Sequence, residues 1–229
     1  MNSSIHNIGT ATRNNWIIET GKGIIAVDTG LPNQEDDFLK RFTKHWPKED
    51  LKYIFLTHTH NDHAGFLAAL LEKTKATVVL CELAQEILAV GHTTETHAYK
   101  NWMGGILEKS MSTKMGTFPP LTDKTRLRIV GNGDSIFEDL GLQAKVVGLP
   151  GHTMDSIEIY LVEKNIVFCG DAAMNSPLLN ANRHTVIIEN IQAFQASWDK
   201  LIELSPTLIY PGHGKAFPVE DLIRYRHFL

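Results

Sequence analysis

The sequence predicts an α/β fold with two β-sheets. Apolar, β-branched runs typical of strands occur from the start of the chain to its end, and amphipathic helical segments stand between them. About ten strands are more than one sheet usually holds, so we expect two sheets. At 229 residues, 43% of them apolar, the chain is long enough for a full core in one large domain or two small ones.

The first half of the chain alternates strands and helices after an opening hairpin. Residues 16–20 and 24–28 are apolar runs on either side of the turn Gly21-Lys22-Gly23, which predicts two paired strands. Residues 34–45 then carry apolar side chains at helical spacing. We further predict a strand at 53–56, a helix that begins at 66, a strand at 76–80 and a helix at 84–90.

The second half continues the same alternation and ends in a helix. Residues 189–204 form a clear amphipathic helical pattern, and residues 219–229 are typical of a closing helix. Short apolar runs bounded by turn residues mark the strands between them. We predict these strands at 126–130, 143–149, 157–162, 166–169 and 207–210.

The stretch from Thr57 to Gly65 concentrates ligand-type side chains where a strand passes into a helix. His58 and His60, two residues apart in an extended segment, can point to the same side and hold one cation. Asp62 and His63 stand where the chain turns into the helix and can point at a second cation. Four such side chains in six residues favour metal binding over a purely structural role.

Three later strands each end in a glycine followed by a metal-type ligand. These are Gly151-His152, Gly170-Asp171 and Gly212-His213, where glycine lets the backbone turn sharply and approach a site closely. Nitrogen and oxygen ligands suit zinc, and also iron or manganese. The candidate metal ligands are therefore His58, His60, Asp62, His63, His152, Asp171 and His213, enough for two cations.

Composition restricts the function classes. The net charge of −4 argues against a nucleic-acid surface built on bulk positive potential, and no apolar stretch approaches membrane-spanning length. The first residues lack the pattern of a secretory signal. Cys81 and Cys169 each end an apolar run and are better explained as buried small residues than as a disulfide, so we expect a reducing, cytoplasmic setting.

The residues from 91 to 120 differ in character from the predicted sheets. Aromatic residues and methionines are interleaved there with Gly104-Gly105, which predicts a helical excursion with a flexible middle. We predict that it covers the metal site, with Trp102 or Phe118 facing the substrate and excluding water. Packing of the same residues onto the body, or a place at a subunit interface, is the alternative.

The motifs Thr57 to Gly65, Gly151-His152-Thr153, Gly170-Asp171 and Pro211-Gly212-His213-Gly214 resemble those of the metallo-β-lactamase superfamily of metal-dependent hydrolases. The resemblance runs through nearly the whole chain and implies a single domain over residues 1–229, folded as a four-layer αβ/βα sandwich with a helical insertion. It implies that His58, His60 and His152 hold one metal, and that Asp171 bridges to a second one. The ligands implied for the second metal are Asp62, His63 and His213.

This resemblance implies a hydrolase with two divalent ions, with zinc expected and iron or manganese as alternatives. A hydroxide bridging the ions would attack an ester, thioester, lactone or similar small substrate, with Asp62 and Asp171 as the catalytic residues. Asp171 resembles the bridging residue of members that act on esters, thioesters, lactones and phosphodiesters, whereas members that degrade β-lactams have other residues there. A phosphodiesterase, or a metal-bearing redox or sensor protein, is the alternative. We expect no nucleic-acid or membrane partner, and we consider a homo-oligomer.

Further residues are candidates for contact with the substrate or support of the ligands. His184 lies in the loop after Asp171, and Met174 stands where lactonases of the family carry a tyrosine. Asp28 closes an early strand and is a candidate for holding a ligand imidazole, although a role as a turn residue explains it equally well. The predicted substrate-contacting residues are His184, Trp102, Phe118 and Met174.

Overall fold

The protein is described by a computed structural model that covers residues 3–93, 99–100, 117–176 and 182–228. Two β-sheets organise it, as expected. In spatial order, the first sheet contains β1 (Ser4–Asn7), β2 (Trp16–Thr20), β3 (Gly23–Val27), β4 (Leu51–Phe55), β5 (Thr77–Leu80) and β7 (Leu127–Ile129). The second contains β13 (Leu208–Pro211), β11 (Ile166–Gly170), β10 (Ile157–Leu161), β9 (Ala144–Gly148) and β8 (Ser135–Ile136). A separate two-stranded pair joins β6 (Tyr99–Lys100) to β12 (Ile187–Ile188).

Alternation along the strands creates the layers. Successive strand residues point to opposite faces, and Ile17 and Ile18 on β2 accordingly belong to two different apolar clusters. On β9, Val146 packs into the cluster between the two sheets, while Val147 packs on the outer side of the second sheet. Both sheets are therefore buried on both faces.

Helices cover the outer faces. The described helices are α1 (Glu35–Phe42), α2 (Asn61–Ala64), α3 (Leu67–Lys73), α4 (Glu82–Val90), α5 (Ile191–Leu204) and α6 (Val219–Tyr225). Buried residues of α1, α3 and α4 pack on the first sheet, and those of α5 and α6 on the second. The order helix, sheet, sheet, helix confirms the αβ/βα sandwich. None of the described helices is long and apolar enough to cross a membrane.

The strand directions bring several strand ends to one edge. β3, β4, β5 and β7 are parallel. β9 and β11 are both antiparallel to β10, and β13 is parallel to β11, so these three also share a direction. The backbone N–H of Ile157, at the start of β10, donates to the Thr57 carbonyl at 2.9 Å. This bond ties the two sheets together at the edge where the carboxyl ends of the ligand-bearing strands lie.

The structure describes only short parts of the segment from 91 to 120, and the helices predicted for its middle lie outside the described residues. Tyr99–Lys100 forms a strand paired with Ile187–Ile188, and His92 forms an isolated bridge with Thr117. Phe118 N–H donates to the carbonyl of Gly91, so the two ends of the segment meet. Strands of two residues are too short to show a periodic pattern, which is why the sequence did not predict them. Trp102 and the pair Gly104-Gly105 lie outside the described residues.

Candidate metal centre

All seven predicted ligands follow strands that end at this one edge, either on loops or on the short helix α2. The loop after β4 and the short helix α2 carry four of them, as the opening motif indicated. His152, Asp171 and His213 follow β9, β11 and β13. Residues far apart in the sequence are thus brought together because parallel strands end at the same edge.

His58, His60 and His152 form the first group, in which one ligand atom of each residue lies within 4.8 Å of the others. His152 Nε2 is 2.9 Å from His60 Nδ1. His58 and His152 are almost fully buried, at 1% and 3% exposure. The group was predicted from the two-residue spacing of His58 and His60, and His152 completes it from the other sheet.

Asp62, His63 and His213 form the second group, again within 4.8 Å of one another. His213 Nε2 lies 3.4 Å from Asp62 Oδ2, and His63 Nε2 lies 3.9 Å from the same oxygen. His63 is buried, whereas the Asp62 side chain is 29% exposed. Asp62 therefore stands at the mouth of the cluster.

Asp171 lies between the two groups. Its Oδ2 is 3.7 Å from His152 Nε2 in the first group and 3.4 Å from His213 Nε2 in the second. Its Oδ1 is 3.6 Å from His63 Nε2. A single buried carboxylate thus faces ligand nitrogens of both groups, which is the geometry required of a residue shared by two cations.

Glycine permits the close approach of these loops. A Cβ on Gly212 would lie 2.5 Å from Asp171 Oδ1 and 2.7 Å from His63 Cε1. Gly170 has a φ of +48°, and a Cβ there would lie 2.6 Å from Thr57 Oγ1. Any side chain at these positions would push apart the loops that carry the ligands.

Backbone carbonyls fix the orientation of two imidazoles. Because a carbonyl only accepts, His152 Nδ1–H donates to Ile187 at 2.8 Å and His213 Nδ1–H donates to Thr12 at 2.7 Å. In each neutral imidazole the proton is held at Nδ1, so the Nε2 lone pair faces the cluster. Support of this kind orients metal-binding histidines in proteins generally.

Asp28 supports two further ligands. His63 Nδ1–H donates to Asp28 Oδ2 at 2.9 Å, and Thr57 Oγ1 donates to the same oxygen at 2.8 Å. The Thr57 N–H donates to Asp28 Oδ1 at 2.8 Å. Since the Thr57 hydroxyl gives its proton to Asp28, it accepts at 3.0 Å from His58 Nδ1–H. Asp28 is therefore more than a turn residue, because it orients His63 directly and His58 through Thr57.

The two histidine groups differ in their affinity for protons. Burial lowers the pKa of His58 and His152, and together with the neighbouring His152 it lowers the pKa of His60 to about 3. These imidazoles are neutral at pH 7 and are ready to bind a cation. In the second group, burial alone would lower the pKa of His63. The negative charges of Asp171 and the other nearby carboxylates have a larger effect and raise the pKa of His63 to about 9.

Three buried atoms at the centre of the cluster have no hydrogen-bond partner in the part of the chain that the structure describes. They are His58 Nε2, His63 Nε2 and Asp171 Oδ1, and one ligand atom of each of these three residues lies within 4.8 Å of the others. Buried polar atoms normally have partners, because an unpaired buried donor or acceptor costs about 1–3 kcal/mol. Nitrogen and carboxylate oxygen atoms that converge without partners fit a metal ion.

The comparison with protein families agrees with this geometry. A family model described as the metallo-β-lactamase superfamily matches residues 8–213, which includes every predicted ligand. The chain belongs to the metallo-β-lactamase superfamily. The motifs that suggested this membership in the sequence are the same ones that build the cluster.

Relatives in this superfamily are distant. A β-lactamase-like protein 2 homolog of Caenorhabditis elegans is 27% identical over 227 residues, which is 95% of this chain and 61% of the relative. A probable metallo-hydrolase of Bacillus subtilis is 24% identical over 203 residues, which is 77% of this chain and 59% of the relative. The chain thus spans about three fifths of the length of these relatives.

Solved structures of superfamily proteins share the fold. An archaeal metallo-β-lactamase superfamily protein from Sulfolobus tokodaii has a TM-score of 0.71 at 18% identity, covering 100% of this chain and 86% of that one. A protein solved in a di-iron-bound form has a TM-score of 0.67 at 25% identity, covering 99% of this chain and 100% of that one. The sandwich is therefore common to proteins of very different sequence.

Two of the predicted substrate-contacting residues, His184 and Met174, pack against neighbouring residues outside the ligand groups. His184 Nε2–H donates to the Tyr225 carbonyl at 3.3 Å, and its ring packs edge-on against Trp198 at 4.7 Å. Met174 is buried beside Val186 and Ile187, behind the carbonyl that holds His152. Neither residue belongs to a ligand group.

Phe118 does not form an exposed wall. It is 6% exposed and packs in the cluster between the first sheet and its helices. This placement agrees with the alternative that the aromatic residues of the segment pack onto the body of the protein. Trp102 lies outside the described residues, so its predicted contact with a substrate stays a prediction.

Sequence reasoning missed the loop between β1 and β2. Asn14 Nδ2 donates to the carbonyls of Pro211 and Gly214 at 2.8 and 2.6 Å, and Asn14 N–H donates to Gly212 at 2.8 Å. Thr12 holds His213, as described above. No metal-type residue marks this loop, and the pair Asn14-Asn15 directly before a strand is its only distinctive signal in the sequence.

Proposed function

We propose that this protein is a metal-dependent hydrolase that uses two divalent ions to cleave an ester, thioester, lactone or similar small substrate. The observation that carries the proposal is the position of Asp171, whose two oxygens lie 3.4–3.7 Å from ligand nitrogens of both groups. A cluster for one ion would not need a buried carboxylate shared between two sets of ligands. The name of the Bacillus subtilis relative, a probable metallo-hydrolase, supports the reaction class.

In this proposal the first ion is held by His58, His60 and His152, the second by Asp62, His63 and His213, and both by Asp171. Bound ions of this kind lower the pKa of a coordinated water and polarise the scissile bond. Zinc fits the nitrogen and oxygen ligands, and the di-iron form of a structural relative supports iron as the alternative.

The side chains of the protein supply position and charge. The pKa of Asp62 lies well below its usual range, mainly because His63 beside it outweighs the effect of burial. Asp62 is therefore ionised at neutral pH and, at the mouth of the cluster, can orient a water or accept a proton but cannot donate one. The nearby carboxylates that hold His63 and His213 protonated in the free cluster would favour a cation in the same place.

A substrate panel with metal analysis tests the proposal. Protein purified under metal-replete conditions should contain two transition-metal ions per chain by elemental analysis. It should hydrolyse at least one of a p-nitrophenyl ester, a thioester and a lactone, and chelation should abolish this activity. Asp171→Ala should also abolish this activity. Asp123→Asn, which changes an exposed carboxylate, is the control and should keep the activity.

Other outcomes would redirect the proposal. Turnover of bis-p-nitrophenyl phosphate alone would favour a phosphodiesterase. Two bound iron ions whose visible spectrum responds to oxygen or a reductant, without turnover of any ester, thioester or lactone, would favour a redox or sensor protein. One ion per chain, or none, would contradict the dinuclear proposal.

A further inference from the structure

Arg13 occupies a fixed position beside the second ligand group. It lies between Thr12, whose carbonyl accepts from His213 Nδ1 at 2.7 Å, and Asn14, whose side chain donates to Pro211 and Gly214 on either side of Gly212-His213. The backbone on both sides of Arg13 is thus bound to the loop that carries His213. The start of its side chain is therefore held close to the second ligand group.

The side chain of Arg13 is half-buried, and its guanidinium is held by the neighbouring Gln34. One nitrogen, Nη2, donates to Gln34 Oε1 at 2.7 Å. Asp62, the ligand at the mouth, is close enough to act on the pKa of Arg13, where it opposes the larger effect of burial. The positive charge of Arg13 therefore acts on Asp62, the partly exposed residue of the second ligand group.

This charge lacks a carboxylate partner within the residues that the structure describes. Its side chain donates to the neutral amide of Gln34, and Asp62 acts on it only through space. Arg183, which is also half-buried, does have such a partner, since it donates to Asp221 at 2.7 and 3.0 Å. A guanidinium has five donors in a planar fork, so most of those of Arg13 stay available to a ligand.

We propose that Arg13 binds a carboxylate on the substrate, so that the protein prefers acyl substrates that carry one negative charge away from the scissile bond. The inference rests on the proposed function, because it names the substrate class of that same site. Arginine forms paired hydrogen bonds to a carboxylate, and the contact is strong where water is partly excluded. Gln34 holds one nitrogen of the fork and leaves the remaining donors to a ligand. The single positive charge of Arg13 matches the single negative charge of one carboxylate.

Two esters of nearly equal size separate charge from shape. p-Nitrophenyl hydrogen glutarate carries a terminal carboxylate where p-nitrophenyl valerate ends in a methyl group. With the metal-loaded protein, Arg13→Gln should lower kcat/KM for the glutarate ester about 10-fold or more, mainly through KM, and change the valerate value less than about 2-fold. Arg13→Lys, which keeps the charge without the fork, should retain part of the preference.

Two further variants test contact against general charge. Arg41→Gln removes the same charge from a neighbouring arginine whose Nε donates to the Ile8 carbonyl, so it should leave the preference for glutarate intact. Gln34→Glu keeps Arg13 but gives it a carboxylate partner, so it should abolish the preference as Arg13→Gln does. The proposal would be overturned if Arg13→Gln lowered kcat/KM equally for both esters. It would also be overturned if Arg41→Gln reduced the preference for the glutarate ester as much as Arg13→Gln does.

Direct binding keeps this test independent of catalysis. Calorimetric titration of glutarate and valerate into the metal-loaded protein should show tighter binding of glutarate, and Arg13→Gln should remove the difference. That result in a protein without esterase activity would refute the proposed reaction while supporting the role of Arg13. Hydrolysis of both esters with no effect of Arg13→Gln on rate or binding would refute the role of Arg13 alone.

Discussion

Asp28→Asn should weaken metal binding without changing the fold. Asp28 has a φ of +61°, in the left-handed region where asparagine is tolerated well, so the backbone should be undisturbed. The change replaces one carboxylate oxygen by an NH₂ group. If that group takes the place of Oδ2, it faces the Nδ1–H of His63, and two donors oppose each other.

The magnitude follows from the bonds that are lost. To avoid the opposed donors, neutral His63, the form that binds metal, would have to hold its proton on Nε2, the nitrogen that faces Asp171 and the second metal position. Loss of such a supporting partner typically weakens metal binding about 10–100-fold. Loss of one hydrogen bond to a charged group costs about 1.5–3 kcal/mol, which corresponds to a fall of roughly 3–12 °C in Tm for a chain of this size.

The assay is a competition titration against a chromophoric chelator, with Tm measured on the same samples. The second ion should be weakened more than the first, because Asp28 contacts His63 directly and His58 only through Thr57. Asp123→Asn is the matched control, since Asp123 accepts from the N–H and hydroxyl of Thr125 but is exposed. A fall in Tm with both metal affinities within about 2-fold of wild type would refute the reasoning.

Three further outcomes are expected. Asp171→Ala should lose the second ion first and abolish turnover, measured by elemental analysis and ester hydrolysis; full activity would mean that the shared carboxylate is misassigned. Because the pKa of His63 is raised to about 9 and that of His213 is raised well above its usual value, the second ion should displace protons at pH 7 and bind more tightly as pH rises to about 9. Calorimetry in buffers of different ionisation enthalpy should detect this release, whereas filling the neutral first group should release few protons. His184→Ala should lower Tm through lost packing on Trp198 and leave metal content unchanged; a loss of metal would make His184 part of the centre.

The sandwich could be predicted because its signals are local. Each strand carries its own alternation, so Ile54 and Phe55 on β4 pack on opposite faces of the first sheet, as their order in the sequence requires. Strands of two residues, such as Ser135–Ile136, carry no usable period and were missed. The edge strand Ser4–Asn7 was missed for a different reason, since its residues are mainly polar and exposed.

The cluster of candidate ligands could be predicted for a similar reason, whereas the residues that support it could not. Four ligands stand within six residues, and the other three follow the same pattern of strand, glycine and ligand. The contact between Thr12 and His213 joins residues 201 positions apart through a backbone carbonyl, and any residue type could supply it. The role of Arg13 could not be predicted from the sequence either, because it depends on the contacts between its loop and the loop that carries His213.

The position of the cluster predicts that its ions also stabilise the fold. His58, His60, Asp62 and His63 extend from the first sheet, while His152, Asp171 and His213 extend from the second, so bound ions would join the two sheets. An ion that binds only the folded chain stabilises it by about 4 kcal/mol at a thousand times its Kd, or roughly 8–16 °C in Tm for a chain of this size. Chelation should therefore lower Tm by that amount, and Asp171→Ala, with less metal to lose, should respond less. An unchanged Tm after verified removal of metal would mean that the core between the sheets alone holds them together.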